Sequence, residues 1–401
     1  MQTLIWVIVV YLILNSLIWI VRHATLSRAQ KKAESLDSHF PLGRHPRLPK
    51  VSILGAGKNE ERNIERCLRS LLNQNYPDLE VIAINDRSTD RTAEIMDSVA
   101  ANAGGRLKVL HIKDLPAGWL GKPHAMYQGQ KIATGEYLIF TDADCFFQCP
   151  DAVRIAVEFS LERKTDLLSV LPVLETPSFW ERVLQPVCSA VLIIWFRPEW
   201  VNDPAKKVAY ANGAFMLFTR DCYDKIGGHP SAKEYLMEDM KFARLVKAQG
   251  MKLYVVQNRD LYRTRMYDNF TSSFNGCARI FYGGFQSVAA LVLAALMLLI
   301  VSLFPYYNLI GALGVATIKG WDLSPLGWHA LAWSGVAIAA QLTVLLRFYE
   351  MSGTPWYRAF TYPLGATVTF FILLSSLKKY IGGKIVWRGS EIKHSGGKGV
   401  A

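Results

Sequence analysis

No two cysteines in this 401-residue chain are spaced as C-x-x-C. The six present, Cys67, Cys145, Cys149, Cys188, Cys222 and Cys277, are scattered. That argues against a structural zinc site and a disulfide framework, and it fits a reducing compartment. Charge is also scarce, at 19% of residues against 51% hydrophobic, and the scarcity is uneven. Residues 1–21 and roughly 284–378 are apolar, while the middle is an ordinary soluble mixture. No charge precedes the first apolar segment, Thr3–Val21, and Arg22 follows it. A signal peptide needs a charged start and a small-residue cleavage site. The segment therefore reads as an uncleaved anchor with its N-terminus outside. Only Asn15 and Ser16 within it are strongly polar, and its length of about nineteen residues suffices to span a bilayer.

The charge that is present totals +12, which suits nucleic acid or an anionic membrane surface. Its placement favours membrane. Arg22, Arg28, Lys31, Lys32, Arg44, Arg47 and Lys50 follow the first apolar segment, and Lys378, Lys379, Lys384 and Arg388 follow the last. Such clusters meet acidic head groups on the cytoplasmic side. Phe285–Pro305 is a spanning segment. Tyr306–Ile318 is a short second span or a re-entrant one, and Gly327–Leu346 and Phe360–Leu377 are further candidates. A basic cytoplasmic C-terminus requires an even number of spans after the soluble part, two or four. Four would place Arg347 and Arg358 outside, against the charge rule. The tail from Ser395 reads as disordered.

From Lys50 the pattern alternates strand and helix. Strands are expected at Val51–Leu54, Leu79–Ile84, Leu107–His111 and Tyr137–Phe140. Helices are expected at Glu60–Leu72, Thr89–Ala101 and Lys122 to Ala133. This alternation implies βαβ units, an α/β class and a mostly parallel sheet, whose ligands bind beyond the carboxyl ends of the strands. The segments there, Gly55–Glu61, Asn85–Asp90 and Thr141–Asp144, are polar and rich in carboxylates.

The central stretch is YLIFTDADCFFQC, Tyr137–Cys149. Asp142 and Asp144 stand one residue apart, and in an extended segment such residues point the same way. Two such carboxylates repel each other unless a cation sits between them, and oxygen ligands suit Mg²⁺ or Mn²⁺ shared with a substrate's phosphates. A plain solvated turn is the alternative. Asn59 and Glu60 either cap the first helix or bind ligand, and the same holds for Asp86, Ser88 and Thr89 with the second. Lys122 opens the third helix, where a cation opposes the macrodipole; a nearby anion such as a phosphate would relieve that, and a solvated lysine is the alternative. Glu238 and Asp239 open an amphipathic helix, as dipole partners or with one carboxylate as a general base. Arg263, Arg265 and Arg279 follow, facing either a diphosphate or anionic lipid. The aromatic segment Pro177–Trp200 reads as an interfacial helix or as a helix packed on the sheet.

The ordered set of motifs resembles an inverting glycosyltransferase of family 2 with the GT-A fold and membrane anchors. The matching pieces are GAGKNEERNIERCLRSLLNQNYPDLEVIAINDRSTDRT, GKPHAMYQG, TDADC, ANGAFMLFTRDCYDKIGGH, MEDMKFARLVKAQG and RMY, with an echo at Val386-Trp387-Arg388-Gly389. They cover about Lys50 to Tyr282. Within the family the chain looks most like bacterial enzymes that glycosylate carotenoid-type and hopanoid lipids, and more distantly like ceramide glucosyltransferases. The resemblance implies that Asn59, Glu60 and Asp86 hold the base and ribose of a nucleotide-sugar donor, usually UDP-linked. It implies that Asp142 contacts the donor and that Asp144, with Asp142, ligates a divalent metal on its diphosphate. Asp239 is then the base that takes the acceptor proton, with Glu238 in support, and Lys122 and Arg279 contact the diphosphate.

One motif of the polymer synthases is missing. Q/R-x-x-R-W is represented only by Gly276-Cys277-Ala278-Arg279-Ile280, which keeps the arginine and weakens a processive synthase reading. The expected product is a glycosylated lipid, made at a hydroxyl or carboxyl. A polyprenyl-phosphate sugar synthase is the rival enzyme, and a membrane scaffold on a degenerate glycosyltransferase fold is the rival of another class. The expected layout is an anchor at 1–22, a basic linker at 23–49, the GT-A domain at 50–283, transmembrane helices at 284–378 and a basic tail at 379–401. The expected location is the inner (plasma) membrane, multi-pass, with a cytoplasmic catalytic domain and no nucleic-acid partner.

Overall fold

The computed structural model describes residues 2–32, 34–285, 287–382, 384–387 and 390–393. Arg388, Gly389 and the tail from Ser395 lie outside the described residues. The elements run α1 (Gln2–Lys32), β1 (Ser35–Leu36), β2 (Val51–Gly57), α2 (Ile64–Leu72), β3 (Leu79–Asp86), α3 (Thr92–Ala101), β4 (Leu107–Ile112), α4 (Gly121–Ile132), β5 (Tyr137–Asp142) and β6 (Cys145–Phe147). Then come α5 (Ala152–Arg163), β7 (Leu167–Leu171), β8 (Val173–Leu174), α6 (Phe179–Trp195), α7 (Pro198–Val201), β9 (Phe215–Thr219), α8 (Arg220–Lys225), α9 (Glu238–Ala248), β10 (Leu253–Asn258) and β11 (Tyr262–Thr264). The chain ends with α10 (Phe270–Phe285), α11 (Val288–Met297), α12 (Phe304–Ile318), α13 (Pro325–Met351), α14 (Tyr362–Gly382) and the hairpin β12 (Lys384–Trp387) and β13 (Ser390–Lys393). Two compact units result, a sheet unit of residues 33–175 and 193–266 and a helical unit of residues 1–32, 176–192 and 267–401.

The sheet unit is built on eight strands in the order β1-β10-β7-β9-β5-β2-β3-β4. All pairings are parallel except those of β9, which runs against β5 and β7. The expected mostly parallel α/β sheet is therefore present. Strand alternation decides what each face buries. Val51, Ile53, Val81, Ala83 and Ile139 join a core with Ile64, Cys67, Leu68 and Leu71 of α2, Met96 and Val99 of α3 and Val153 of α5. Leu54, Ile82, Ile84, Leu138 and Phe140 point the other way, to Ala125 and Met126 of α4 and Phe242 and Val246 of α9. With helices on both faces, the carboxyl ends of the parallel strands lie at one edge.

Residues read as a basic linker take part in this unit. β1 adds an edge strand, Leu36 enters the core, and the backbone N–H groups of Gly43 and Arg44 donate to the buried Glu158 carboxylate. Arg44, Arg47 and Lys50 pair with Glu162, Glu136 and Asp78. Three of the cations read as facing lipid thus have partners in the protein. Arg22, Arg28, Lys31 and Lys32 fall within α1, which runs well past the expected anchor.

Among the described residues five helices are long and apolar enough to cross a membrane: residues 2–28, 179–201, 288–318, 325–351 and 356–382. Phe285–Pro305 and Tyr306–Ile318, expected as separate segments, form one helix, α11–α12, joined through a π-turn at Leu298–Leu303. Pro305 makes that junction costly. It has no N–H, so the Val301 carbonyl four residues back loses its helical donor. In hydrocarbon an unpaired carbonyl costs several kcal/mol. The donors come from α1: Asn15 Nδ2 lies 2.9 Å from the Val301 oxygen, Trp19 Nε1 lies 3.3 Å from it, and the Tyr11 hydroxyl reaches the Ile300 oxygen. Gln341 of α13 donates to the Ser302 oxygen at 3.3 Å. The polar Asn15 of an otherwise apolar segment is thus explained by a proline nearly three hundred residues away.

The same bonds give the helices their senses. Asn308 of α12 meets Ser334 of α13 at 2.8 Å, and Ser302 meets Gln341, so α13 runs back along α11–α12. His23 faces Thr343, and Ser27 faces Arg347, so α1 runs alongside α13 in the same direction. Near its start, α14 meets α12 through Thr367 and Tyr307. At its end, Ser376 bonds the Ala278 carbonyl of α10 and Tyr380 lies 5.6 Å from Tyr282. α10 precedes α11 directly, so α14 finishes beside the end from which α11 sets out. The expectation was two or four spans. Among the described residues three long apolar helices follow α10, with α13 running back along α11–α12 and α14 ending beside α10. α6, read as interfacial or sheet-packed, touches α14 through Cys188 and Thr369.

Replacing Asn15 with Leu keeps the segment apolar but strands the Val301 carbonyl. The expected result is a loss of about 1 kcal/mol of stability, seen as a lower melting temperature of detergent-purified protein. An unchanged melting temperature would show that Trp19 alone satisfies that oxygen.

Candidate active site

β2 lies between β3 and β5 with all three parallel, so the three polar loops expected to converge do so. They are bonded to one another. Asn59 sits in the left-handed region at φ 57. Its Oδ1 accepts the Thr89 N–H at 2.8 Å, and its own N–H donates to Ser88 Oγ at 3.0 Å. The Glu60 N–H donates to Thr92 Oγ1, and the Glu61 N–H to Asp90. Asn59 Oδ1 is therefore occupied in holding two loops together. Asp86 ends β3, buried, with the Arg87 guanidinium on both its oxygens at 2.8 and 3.1 Å. A side chain at Gly121 would come within 2.4 Å of Asp86 Oδ2, so this approach of α4 to β3 requires glycine.

Asp142 is the last residue of β5, and Ala143 and Asp144 form a turn before β6. The expectation that both acids share one face of an extended segment is thereby corrected: the strand ends at the first of them. Their side chains have different partners. β11 pairs with β6 so that Thr264 lies opposite Cys145, which brings the Thr264 hydroxyl to 3.0 Å from Asp144 Oδ1. Burial pushes the Asp144 carboxyl well above its usual range, and the charges of Asp142 and Glu60 add to that against the Thr264 bond.

Asp142 instead meets Lys122. The lysine Nζ lies 2.6 Å from Asp142 Oδ1 and 2.7 Å from Glu238 Oε1, bridging the end of β5 to the start of α9. Two of the protein's own carboxylates thus stand where an anion would relieve this helix-opening lysine. Burial works against the ammonium charge, but the two carboxylates outweigh it and raise the lysine above its usual value. Gly213, just before β9, makes room for the bridge: a Cβ there would lie 3.2 Å from Lys122 Nζ and 3.5 Å from Asp239 Oδ2.

The two neighbouring acids of α9 differ in kind. Glu238 carries the ion pair. Asp239 is held by backbone N–H groups, from Gly213 at 3.0 Å and from Met240 at 2.7 Å. Burial and the Glu238 charge push Asp239 up to about 7, against the pull of Lys122 and those two bonds. A carboxyl there can exchange a proton near neutral pH. Of the residues singled out from sequence, Asn59, Glu60, Asp86, Lys122, Asp142, Asp144, Glu238 and Asp239 all lie in the sheet unit, and Arg279 lies on α10 of the helical unit. Sequence reasoning missed Thr264, Arg87 and the backbone N–H of Gly213. The first two are close in the chain to polar residues already noted, but nothing local marks them as partners.

No group of three or more His, Cys, Asp or Glu side chains that could hold a metal occurs among the described residues. A carboxylate pair is the donor set of an ion that keeps several waters and is shared with substrate phosphates. Asp144, half-buried beside Asp142 and Glu60, fits such a site.

Comparison with known proteins bears on this arrangement. Residues 56–227 match the family model described as glycosyl transferase family 2. The 4,4'-diaponeurosporenoate glycosyltransferase of Staphylococcus aureus (strain USA300) is 28% identical over 273 residues, 68% of this chain and 69% of that one. Among solved structures, the mannosyltransferase PcManGT from Pyrobaculum calidifontis, in complex with GDP-Man and Mn²⁺, covers 95% of this chain and 98% of its own at a TM-score of 0.53 and 17% identity. That likeness concerns the fold. Residues 56–227 are thus a glycosyl transferase family 2 domain carried on a GT-A fold, and the chain is a glycosyltransferase.

Proposed function

We propose that the chain transfers a sugar from a nucleotide diphosphate sugar, UDP-linked, to a hydroxyl or carboxyl of a membrane lipid, with inversion at the anomeric carbon. The observation that carries this reading is the division between adjacent acids. Glu238 is neutralised by Lys122, whereas Asp239 is raised to about 7 beside it. Inverting transfer needs a base on the acceptor side and cationic stabilisation of the departing diphosphate on the other. Asp239 is the base, positioned by the Gly213 and Met240 N–H groups. Lys122 is the cation from the protein. Asp142 and Asp144 would hold a divalent ion, Mg²⁺ or Mn²⁺, which when bound would neutralise diphosphate charge. The fold neighbour was solved with GDP-Man and Mn²⁺, which supports a metal and a nucleotide-sugar donor. Asp86 with its Arg87 partner, Asn59 and Glu60 form the wall for base and ribose, and Arg279 remains a candidate contact to the diphosphate. The S. aureus relative is named for glycosylating 4,4'-diaponeurosporenoate, and the apolar helices of this chain suit a lipid acceptor.

The protein is a multi-pass one of the plasma membrane, with a cytoplasmic catalytic unit of residues 34–175 and 193–266. The N-terminus lies outside, α1 enters, α11–α12 leaves, and α13 with α14 returns. This path puts Arg347, beside Ser27 at the basic end of α1, on the cytoplasmic side, as the charge rule asks.

Asp144→Ala is expected to abolish metal-dependent turnover of the donor while the protein still inserts and folds. Activity that survives both this change and EDTA would remove the metal role. Asp239→Asn is expected to leave donor binding intact and to lower transfer by ~10²–10⁴-fold; a mild loss would favour an acceptor that is already anionic, such as a polyprenyl phosphate. The base must be deprotonated and its carboxyl is raised, so kcat/KM should fall tenfold per pH unit below about 7 and level off above it. An inflection near the ordinary carboxylate value would place the base elsewhere. Finally, a reporter fused after Ala401 should read cytoplasmic, and one inserted between α12 and α13 should read external. The same side for both would overturn the proposed path.

A further inference from the structure

We propose that Lys122 is the resident counter-cation of the site and competes with the divalent ion for Asp142, so that metal and diphosphate bind tightly only together. This rests on the reading of Asp142 and Asp144 as the metal-holding pair.

The geometry behind it is the bridge itself. Lys122 Nζ is within 2.6 Å of Asp142 and 2.7 Å of Glu238, a direct contact to one member of the metal-holding pair. Glu238 keeps only 6% of its side-chain surface exposed, so its partner cannot be replaced by water without leaving a buried charge. Gly213 leaves just enough room for the ammonium between β5 and α9. The lysine also opens α4, where the macrodipole already disfavours a cation. It is therefore held there by the two carboxylates, and it is drawn to whichever anion is strongest.

A divalent ion arriving alone must take Asp142 from the lysine and then sit beside an ammonium of like charge. Both effects weaken it. A nucleoside diphosphate arriving alone meets Asp142, Asp144, Glu60 and Asp86 with one bridging lysine to receive it. Arriving together, the ion neutralises the Asp142–Asp144 pair and the diphosphate takes the lysine. The repulsion in each separate event is cancelled by the other. The coupling is reciprocal, so the ion strengthens the diphosphate by the same factor as the diphosphate strengthens the ion. This differs from a phosphate-contacting lysine that merely adds affinity, because such a lysine would not weaken the metal on its own.

The test measures Mn²⁺ binding to detergent-purified full-length protein, by the electron paramagnetic resonance of free Mn²⁺, without nucleotide and with saturating UDP or GDP. Wild type should bind Mn²⁺ at least tenfold more tightly with nucleoside diphosphate than without. In Lys122→Gln, Mn²⁺ alone should bind about tenfold more tightly than in wild type, and the gain from nucleotide should shrink by about the same factor. Lys122→Arg, which keeps the charge, should retain the wild-type gain and controls for folding. Lys122→Gln with unchanged or weaker Mn²⁺ binding in the absence of nucleotide overturns the proposal while leaving the metal site standing. No Mn²⁺ binding to wild type under either condition overturns the metal reading itself, and this proposal with it.

Discussion

The constraint on which the active edge depends is the concentration of carboxylates there. Asp86, Asp142, Asp144, Glu238 and Asp239 come from the carboxyl ends of β3 and β5 and the start of α9, and full or partial burial makes their charges expensive. The Lys122 bridge is the fold's answer to part of that expense. It ties β5 to α9, and Gly213 leaves the room for it beside Asp239. Asp86 is compensated separately by Arg87. Asp144 and Asp239 are the two left over, and burial with the neighbouring acid charges holds both carboxyls well above their usual range, against the pull of Lys122. Sites with work to do are where such imbalance collects.

The helical unit answers a different shortage, that of hydrogen-bond donors. A π-turn followed by Pro305 exposes backbone carbonyls in the middle of the apolar helix α11–α12. Tyr11, Asn15 and Trp19 of α1 and Gln341 of α13 supply donors to them. A break in a membrane helix is tolerated where neighbours re-satisfy it. The consequence is architectural: the first apolar helix, α1, is bonded to α11–α12 and α13. The bonds along α10, α12 and α14 likewise bring the last helix back to where α11 began.

Much of this was legible in the chain. Alternating strand and helix patterns identified β2 through β5 with small errors at their ends, because each strand buries residues on both faces and each helix has a clear apolar stripe. The missed strands, β1, β7 and β10, are short or surrounded by aliphatics with no period of their own, and the pairing of β1 inside a supposed linker depends on Leu36 finding a core made elsewhere. Asp142 and Asp144 were expected to share one face of an extended segment, and the turn at Ala143–Asp144 overturns that. Their local spacing is not that of an extended strand, and what separates their roles is that Lys122 reaches one and Thr264 the other.

The sequence by itself determined the class of the fold, the acidic loops at one sheet edge, the apolar ends and the order of motifs, because all of these follow from composition and short-range periodicity. Only the tertiary structure decided which carboxylate is paired and which is left high. Glu238 and Asp239 are chemically near twins one residue apart, and their difference comes from Lys122 and Gly213, which approach from distant parts of the chain. It likewise decided that Asn15 serves Val301 and that α14 turns back, since a hydrogen-bond partner in a dry interior is chosen by three-dimensional proximity and not by position in the chain.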